Sequence, residues 1–112
     1  MAKYEAFVDG EFNQILVYLE EELTKGSQTL SLEESSDYQL GNTRVAIRAY
    51  ERYSYWGGNR VSLHLTLFSD GEETIVTAIS TGGSQGMALK INTWSESNFL
   101  NTIIPAIEKI KK

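Results

Sequence analysis

The residues whose spacing best suggests chemistry are 82–86, GGSQG, within the stretch STGGSQGMALKINTW at 80–94. They match the G-x-S-x-G pattern of a serine hydrolase elbow, where a strand-to-helix turn exposes the serine. The residues that follow, MALKIN at 87–92, alternate apolar and polar or small side chains and predict another strand instead of a helix. We therefore expect a bulge or wide turn at Gly82, Gly83, Ser84 and Gly86. We accordingly expect that the chain is not an enzyme.

The same glycine segment has a second reading as an anion-binding loop. It contains neither a P-loop nor a dinucleotide-binding fingerprint, because no lysine follows Gly86 and the glycine spacing differs. The amides of a glycine turn can still hold an anion. A hydrolase that uses Ser84 stays the alternative function, with His64 as the single histidine of the sequence.

A second candidate site is the arginine- and tyrosine-rich stretch RVAIRAYERYSYWGGNR at 44–60. Residues two apart on a strand point the same way, so its even-numbered members share one face. We expect that face to continue beyond the WGGN turn at 56–59. Such a face can grip an anion, bind a partner or simply be solvated. The predicted face comprises Arg44, Arg48, Tyr50, Arg52, Arg60 and His64.

Composition and charge exclude several classes of function. The 112 residues include no cysteine and one histidine, so we expect no metal site and no cofactor. The net charge is −5, which argues against a dedicated nucleic-acid binder. Residues 1–42 carry nine acids and two lysines, whereas residues 43–68 carry four arginines and one acid. This division predicts a self-association surface between the acidic first helix and the arginine face.

The first helix and the strands must position these residues. Apolar side chains at 12, 15, 16, 19 and 23 predict a helix that Asp9 caps and Gly26 stops, after a short strand at 4–8. From 28 to 80 the apolar period changes to two, and LGNT at 40–43 indicates a hairpin. The sequence therefore predicts four strands in meander order, with one face buried and one wet.

The end of the chain predicts a second helix. Thr93 and Glu96 have the spacing of a capping box, and an apolar helical stripe follows from Phe99 to Ile110. Pro105 lies within that stripe and is expected to kink the helix or divide it in two.

These elements predict a single α+β domain over residues 1–112. Its order is strand, helix, four or five antiparallel strands, helix, with both helices on one face of a curved antiparallel sheet. A curved sheet could enclose an apolar cavity for a small ligand, although the same side chains could instead fill the core. The residues concerned are Leu63, Leu65, Leu67, Ile104 and Ile107.

Two resemblances accompany this reading. The element order resembles helix-grip and TATA-box-binding-protein-like folds, which host many functions. The stretches YERYSYWGGNRVSL and GGSQGMALKINTW resemble a family of small uncharacterised bacterial proteins of about this length, which implies a bacterial cytoplasmic origin and no known activity. The most defensible expectation is a non-catalytic cytoplasmic domain that binds itself, another protein or a small apolar or anionic ligand, without a membrane.

Overall fold

The computed structural model describes residues 2–26, 29–54, 59–82 and 89–112, with the side chains of 54, 59 and 89–98 left aside. Five strands form one antiparallel sheet in the order β1-β5-β4-β3-β2, so the fold is α+β. The elements are β1 (Ala2–Val8), α1 (Phe12–Gly26), β2 (Ser31–Leu40), β3 (Thr43–Ser54), β4 (Asn59–Ser69), β5 (Thr74–Gly82) and α2 (Leu89–Ile110).

Both helices pack on one face of the sheet. The predicted stripe of α1 is confirmed, since all five of its apolar residues are buried. α2 lies over β1, β5 and β4, and α1 packs beside α2 and reaches β4. The core between the layers is centred on β4, whose residues Leu63, Leu65 and Leu67 are at most 1% exposed. No helix in the described part of the chain is long and apolar enough to cross a membrane.

The start of α1 differs from the prediction. Asp9 does not cap the helix, which begins three residues later at Phe12. Instead the Glu11 carboxylate accepts hydrogen bonds from the amides of Asn13, at 2.8 Å, and Gln14, at 3.2 Å. Glu11 therefore satisfies two amides that have no partner within the helix, and its negative charge suits that end of the helix dipole.

The end of α1 is fixed by its contact with α2. The helix ends at Gly26, and a Cβ on this glycine would overlap Cγ2 of Thr102 on α2. The glycine is therefore required by the close approach of two helices. A left-handed backbone is not the reason, since the positive φ angles in the described chain belong to Gly10, Gly41 and Gly71.

The predicted strand at 87–92 is wrong for residues 89–92, which the structure describes as helix. Residues 89–92 form the first turn of α2, and residues 87 and 88 lie outside the described residues. Thr93 and Glu96 consequently fall inside the helix instead of capping it. Six residues are too short a pattern to distinguish the two-residue period of a strand from the 3.6-residue period of a helix. Pro105 lies inside α2, which continues on both sides of it, so the helix is not divided in two there, and the alternative of a kink stays a prediction.

Candidate functional site

The pairing of β3 with β4 reverses the predicted faces. Even-numbered residues of β3 pair with odd-numbered residues of β4, so Arg48 lies opposite Leu65 and Tyr50 opposite Leu63. Directly paired residues share a face. Arg44, Arg48, Tyr50 and Arg52 therefore point toward the helices, whereas Arg60 and His64 point away from them. The prediction that these six residues form one polar face is wrong.

The parity of the hairpin connection causes this reversal. Ser54 pairs with Asn59, so four residues separate the strands. When an even number of residues connects two strands, even positions of one strand pair with odd positions of the other. Because side chains alternate between faces, the even residues of β3 then share a face with the odd residues of β4. The unambiguous apolar alternation of β4 together with this parity could have assigned β3 correctly from the sequence.

The helix side of β3 carries three arginines, Arg44, Arg48 and Arg52, which we call the arginine row. Each contacts a helix. Arg44 stacks over the Phe12 ring of α1 at 4.2 Å from its centroid, and Arg52 stacks over the Phe99 ring of α2 at 4.4 Å. Arg44 also donates a hydrogen bond to Asn13 at 2.9 Å. These contacts attach the helical layer to β3, at about 0.5–2 kcal/mol for each cation–π pair.

Arg48 is the most buried member of the arginine row, with 9% of its surface exposed. It pairs with Asp37 of β2 at 3.1 Å and with Glu20 of α1 at 3.4 Å. Burial disfavours its charge, but the hydrogen bonds and Coulombic attraction of the two carboxylates outweigh burial and raise the pKa of Arg48. The guanidinium therefore joins three elements and is occupied by contacts within the chain.

Tyr50 belongs to the same polar cluster. Its hydroxyl donates a hydrogen bond to the Glu20 carboxylate at 3.4 Å, and 4% of the residue is exposed. Burial, followed by the negative charge of Glu20, raises the pKa of Tyr50 to about 12. The phenol is thus held in its neutral, donating form over the whole physiological range.

The other sequence candidates contribute less to a site. Gly82 is the last residue of β5, and Gly83, Ser84 and Gly86 lie outside the described residues. The leucines proposed to line a cavity are core residues of β4, with Ile107 buried and Ile104 partly buried against them. Among the described residues, no group of three His, Asp or Glu side chains could hold a metal ion.

The face of the sheet away from the helices, here the open face, carries large apolar side chains in register. Phe7 pairs with Ile75, Ile75 with Phe68, Phe68 with Val45, and Val45 with Tyr38. These five residues form one row across all five strands, which we call the apolar row. Phe7 is 50%, Phe68 42% and Tyr38 53% exposed. Leu40, two residues beyond Tyr38, adds a further exposed apolar side chain, at 78%.

The open face is polar beyond the apolar row. The next row is mostly hydroxyl-bearing, with Thr77 paired to Thr66 at its centre. The row after that contains charged residues at both edges and His64 at its centre, in the order Lys3, Ile79, His64, Ala49 and Glu34. An apolar band beside a polar surface is the usual composition of a protein-binding patch.

Sequence reasoning missed the apolar row for a definite reason. The sequence predicts a wet face for the arginines of this strand, so by alternation it places Val45 and Ile47 on the buried face. Phe68 and Tyr38 lie at the ends of strands, next to turns. A residue's membership of the row depends on four strand registers at once, and each strand alone shows only one member.

Comparison with known proteins assigns the chain at the family level. A family model described as a family of unknown function, DUF6054, matches residues 1–111. The chain belongs to this family. The resemblance to an uncharacterised family is thereby confirmed, and the DUF6054 assignment carries no activity with it. No curated protein and no solved structure matches the chain, so the resemblance to helix-grip folds stays a prediction.

Proposed function

We propose that this chain is a non-catalytic protein-binding domain whose binding surface is the open face of the sheet. The observation that carries the proposal is the apolar row, in which Phe7, Phe68 and Tyr38 each expose about half of their surface. Aromatic side chains bury large areas on association and are enriched in protein interfaces. We place this binding in the bacterial cytoplasm, on the strength of the family resemblance in the sequence.

This proposal moves the binding surface predicted from sequence. The arginine row is engaged with α1 and α2, and its most buried member, Arg48, lies between three elements. A partner that used Arg48 would have to break two ion pairs first. The apolar row needs no rearrangement, because its side chains already point away from the helices.

The edges of the sheet are less suited to binding than its face. β2 is an edge strand with a register shift between Leu32 and Glu34, and it bears Glu33, Glu34 and Asp37. Charges and bulges on an edge discourage the pairing of another strand. At the other edge, the C-terminal residues bond to the end of β1, with the Lys112 amide donating to the Phe7 carbonyl at 2.9 Å. Association through the face is therefore favoured over strand addition.

Site-specific photo-crosslinking tests the proposal. Phe68 is replaced by benzoylphenylalanine, which keeps an aromatic side chain, in cells of the source organism. The matched control places the same probe at Val17, which is 52% exposed on the outer side of α1. We expect a protein adduct from position 68 and none from position 17. No adduct from position 68, or equal adducts from both positions, would overturn the proposal.

A further inference from the structure

We infer that the partner of the open face is a second copy of this chain, related by a two-fold axis that runs along β4. This inference rests on the proposed function and specifies its partner. It follows from the order of side chains across the open face. In such a dimer the two sheets pack face to face, and β1 of one copy lies over β2 of the other.

The symmetry matches the apolar row with itself. A two-fold axis along the central strand keeps each row over the same row of the partner and reverses its strand order. Phe68 then meets Phe68 at the axis, Phe7 meets Tyr38, and Ile75 meets Val45. Two-fold interfaces are the commonest in homo-oligomers and require this kind of self-complementary patch.

The charged row matches under the same operation. Lys3 and Glu34 occupy opposite edges of one row, with Ile79, His64 and Ala49 between them. The axis along β4 places Lys3 of each copy beside Glu34 of the other, which gives two ion pairs. Lys3 forms no ion pair with the rest of the described chain, so its charge is available to a partner.

The alternative two-fold axis, perpendicular to the strands, fits poorly. An axis through the hydroxyl-bearing row would place the apolar row of one copy over the charged row of the other. Phe7 would then cover Lys3, and Tyr38 would cover Glu34, which removes two charges of each copy from water without partners. Charge complementarity therefore selects the axis along β4.

The open face is large enough for a stable dimer. Five strands about 4.8 Å apart, paired over about eight residues of about 3.4 Å each, give a face of roughly 24 by 27 Å. The flat area of the face is thus on the order of 650 Å² in each copy, and the uneven surface of the side chains adds to it. This is near the roughly 800 Å² that each partner buries in a standard interface. Sheets that pack in this way cross at about −30°, so the central contacts are closer than those at the corners.

Charge exchange at Lys3 and Glu34 tests the inference. Sedimentation equilibrium of the purified full chain should give twice its 12.6 kDa mass. Lys3→Glu alone, or Glu34→Lys alone, should weaken the dimer about tenfold, because two attractive pairs become repulsive. An equimolar mixture of these two variants should form heterodimers beyond the statistical half, because every facing pair is then of opposite charge. The double variant should dimerise like the original chain.

Two controls separate this result from general effects of charge and fold. Lys109→Glu changes the net charge as Lys3→Glu does, at an exposed position on α2, and should leave the dimer unchanged. Phe68→Ser should abolish dimerisation while circular dichroism shows a folded chain. A dimer that resists Phe68→Ser, or charge variants that dimerise equally well, would overturn the inferred axis.

The outcome for the partner is distinguishable from the outcome for the binding face. The inference is overturned if the chain is a monomer at about 100 µM and the probe at position 68 crosslinks to a protein of a different mass. Self-association would then be too weak for a standard interface, while the binding face would stay in place. The absence of any adduct from position 68 overturns both. An adduct of twice the chain mass, together with preferential heterodimers, supports both.

Discussion

The two faces of one sheet carry similar side chains in opposite environments. Leu67 and Phe68 are neighbours on β4, yet Leu67 is fully buried beneath the helices and Phe68 is 42% exposed on the open face. Conversely, Arg48 is buried on the helix side, whereas Arg60 on the open face has a side chain that is 64% exposed. The position of the helices, more than the polarity of a residue, decides which face becomes the core.

The largest expected effect compares the apolar residues of the two faces. Leu65→Ala leaves a cavity in the centre of the core and should reduce the free energy of unfolding by about 2–5 kcal/mol. Phe68→Ala should cost less, about 1–2 kcal/mol, because 42% of that residue is already exposed to water. Urea unfolding at the lowest protein concentration that circular dichroism allows excludes association from the comparison. Equal losses for the two variants would contradict the assignment of Phe68 to an exposed face of the chain.

The second comparison uses the two arginines. Arg48→Ala removes a buried cation and leaves Glu20 and Asp37 without their partner, so we expect a loss of about 1–3 kcal/mol. Arg60→Ala breaks an exposed pair with Glu51 and should change stability by less than about 0.5 kcal/mol. Chemical denaturation of both variants measures the difference. A neutral Arg48→Ala would mean that the arginine row does not attach the helices.

The third prediction concerns the helical layer that creates the covered face. Gly26→Ala should be destabilising by about 1–2 kcal/mol because its Cβ overlaps Thr102, although alanine is ordinarily the better helix former by about 1 kcal/mol. Thr102→Ser removes the overlapping methyl group and keeps the hydroxyl. In the Thr102→Ser background, Gly26→Ala should therefore become stabilising, as thermal unfolding would show. The same sign in both backgrounds would contradict this packing.

The smallest expected effect is the pH dependence of the polar cluster. The pKa of Tyr50 is raised from 10.0 to about 12, so the folded chain holds this proton more tightly than the unfolded chain does. The resulting stability is fully present below pH 10 and is lost as the pH rises from 10 to 12. Two pKa units correspond to roughly 2.7 kcal/mol at full titration, of which about 1–2 kcal/mol is lost by about pH 11.5. Urea titrations at pH 9 and at about pH 11.5 should show a smaller loss for Tyr50→Phe than for the original chain. An equal loss would place Tyr50 outside the titrating groups.

Much of the fold could be read from the sequence, and the failures have physical causes. The stripe of α1 and the alternation of β4 identified their buried residues because each pattern is long and has one period. The beginning of α1 was misplaced because a short N-cap side chain was expected at Asp9, whereas the longer Glu11 side chain accepts from the amides two and three residues ahead of it. The beginning of α2 was missed because its clear stripe starts at Phe99, ten residues after the helix begins at Leu89, and the six residues at 87–92 fit either period.

The candidate site was less predictable than the fold. The arginines were identified as unusual, and they are, but as contacts between layers. The apolar row was not identified, because its members come from five strands that are distant in the chain. Lys3 and Glu34 likewise share a row although thirty-one positions separate them in sequence.

The sequence by itself determined the element order, the antiparallel meander, the membership of the α1 stripe and the inward face of β4, since each follows from a local period. Only the tertiary structure decided how the arginine row contacts the helices, how Gly26 meets Thr102 and which side chains form the apolar row. These features depend on strand register and on the approach of distant elements. A shift of one residue in register moves every side chain of a strand to the other face, so local sequence patterns cannot fix them singly.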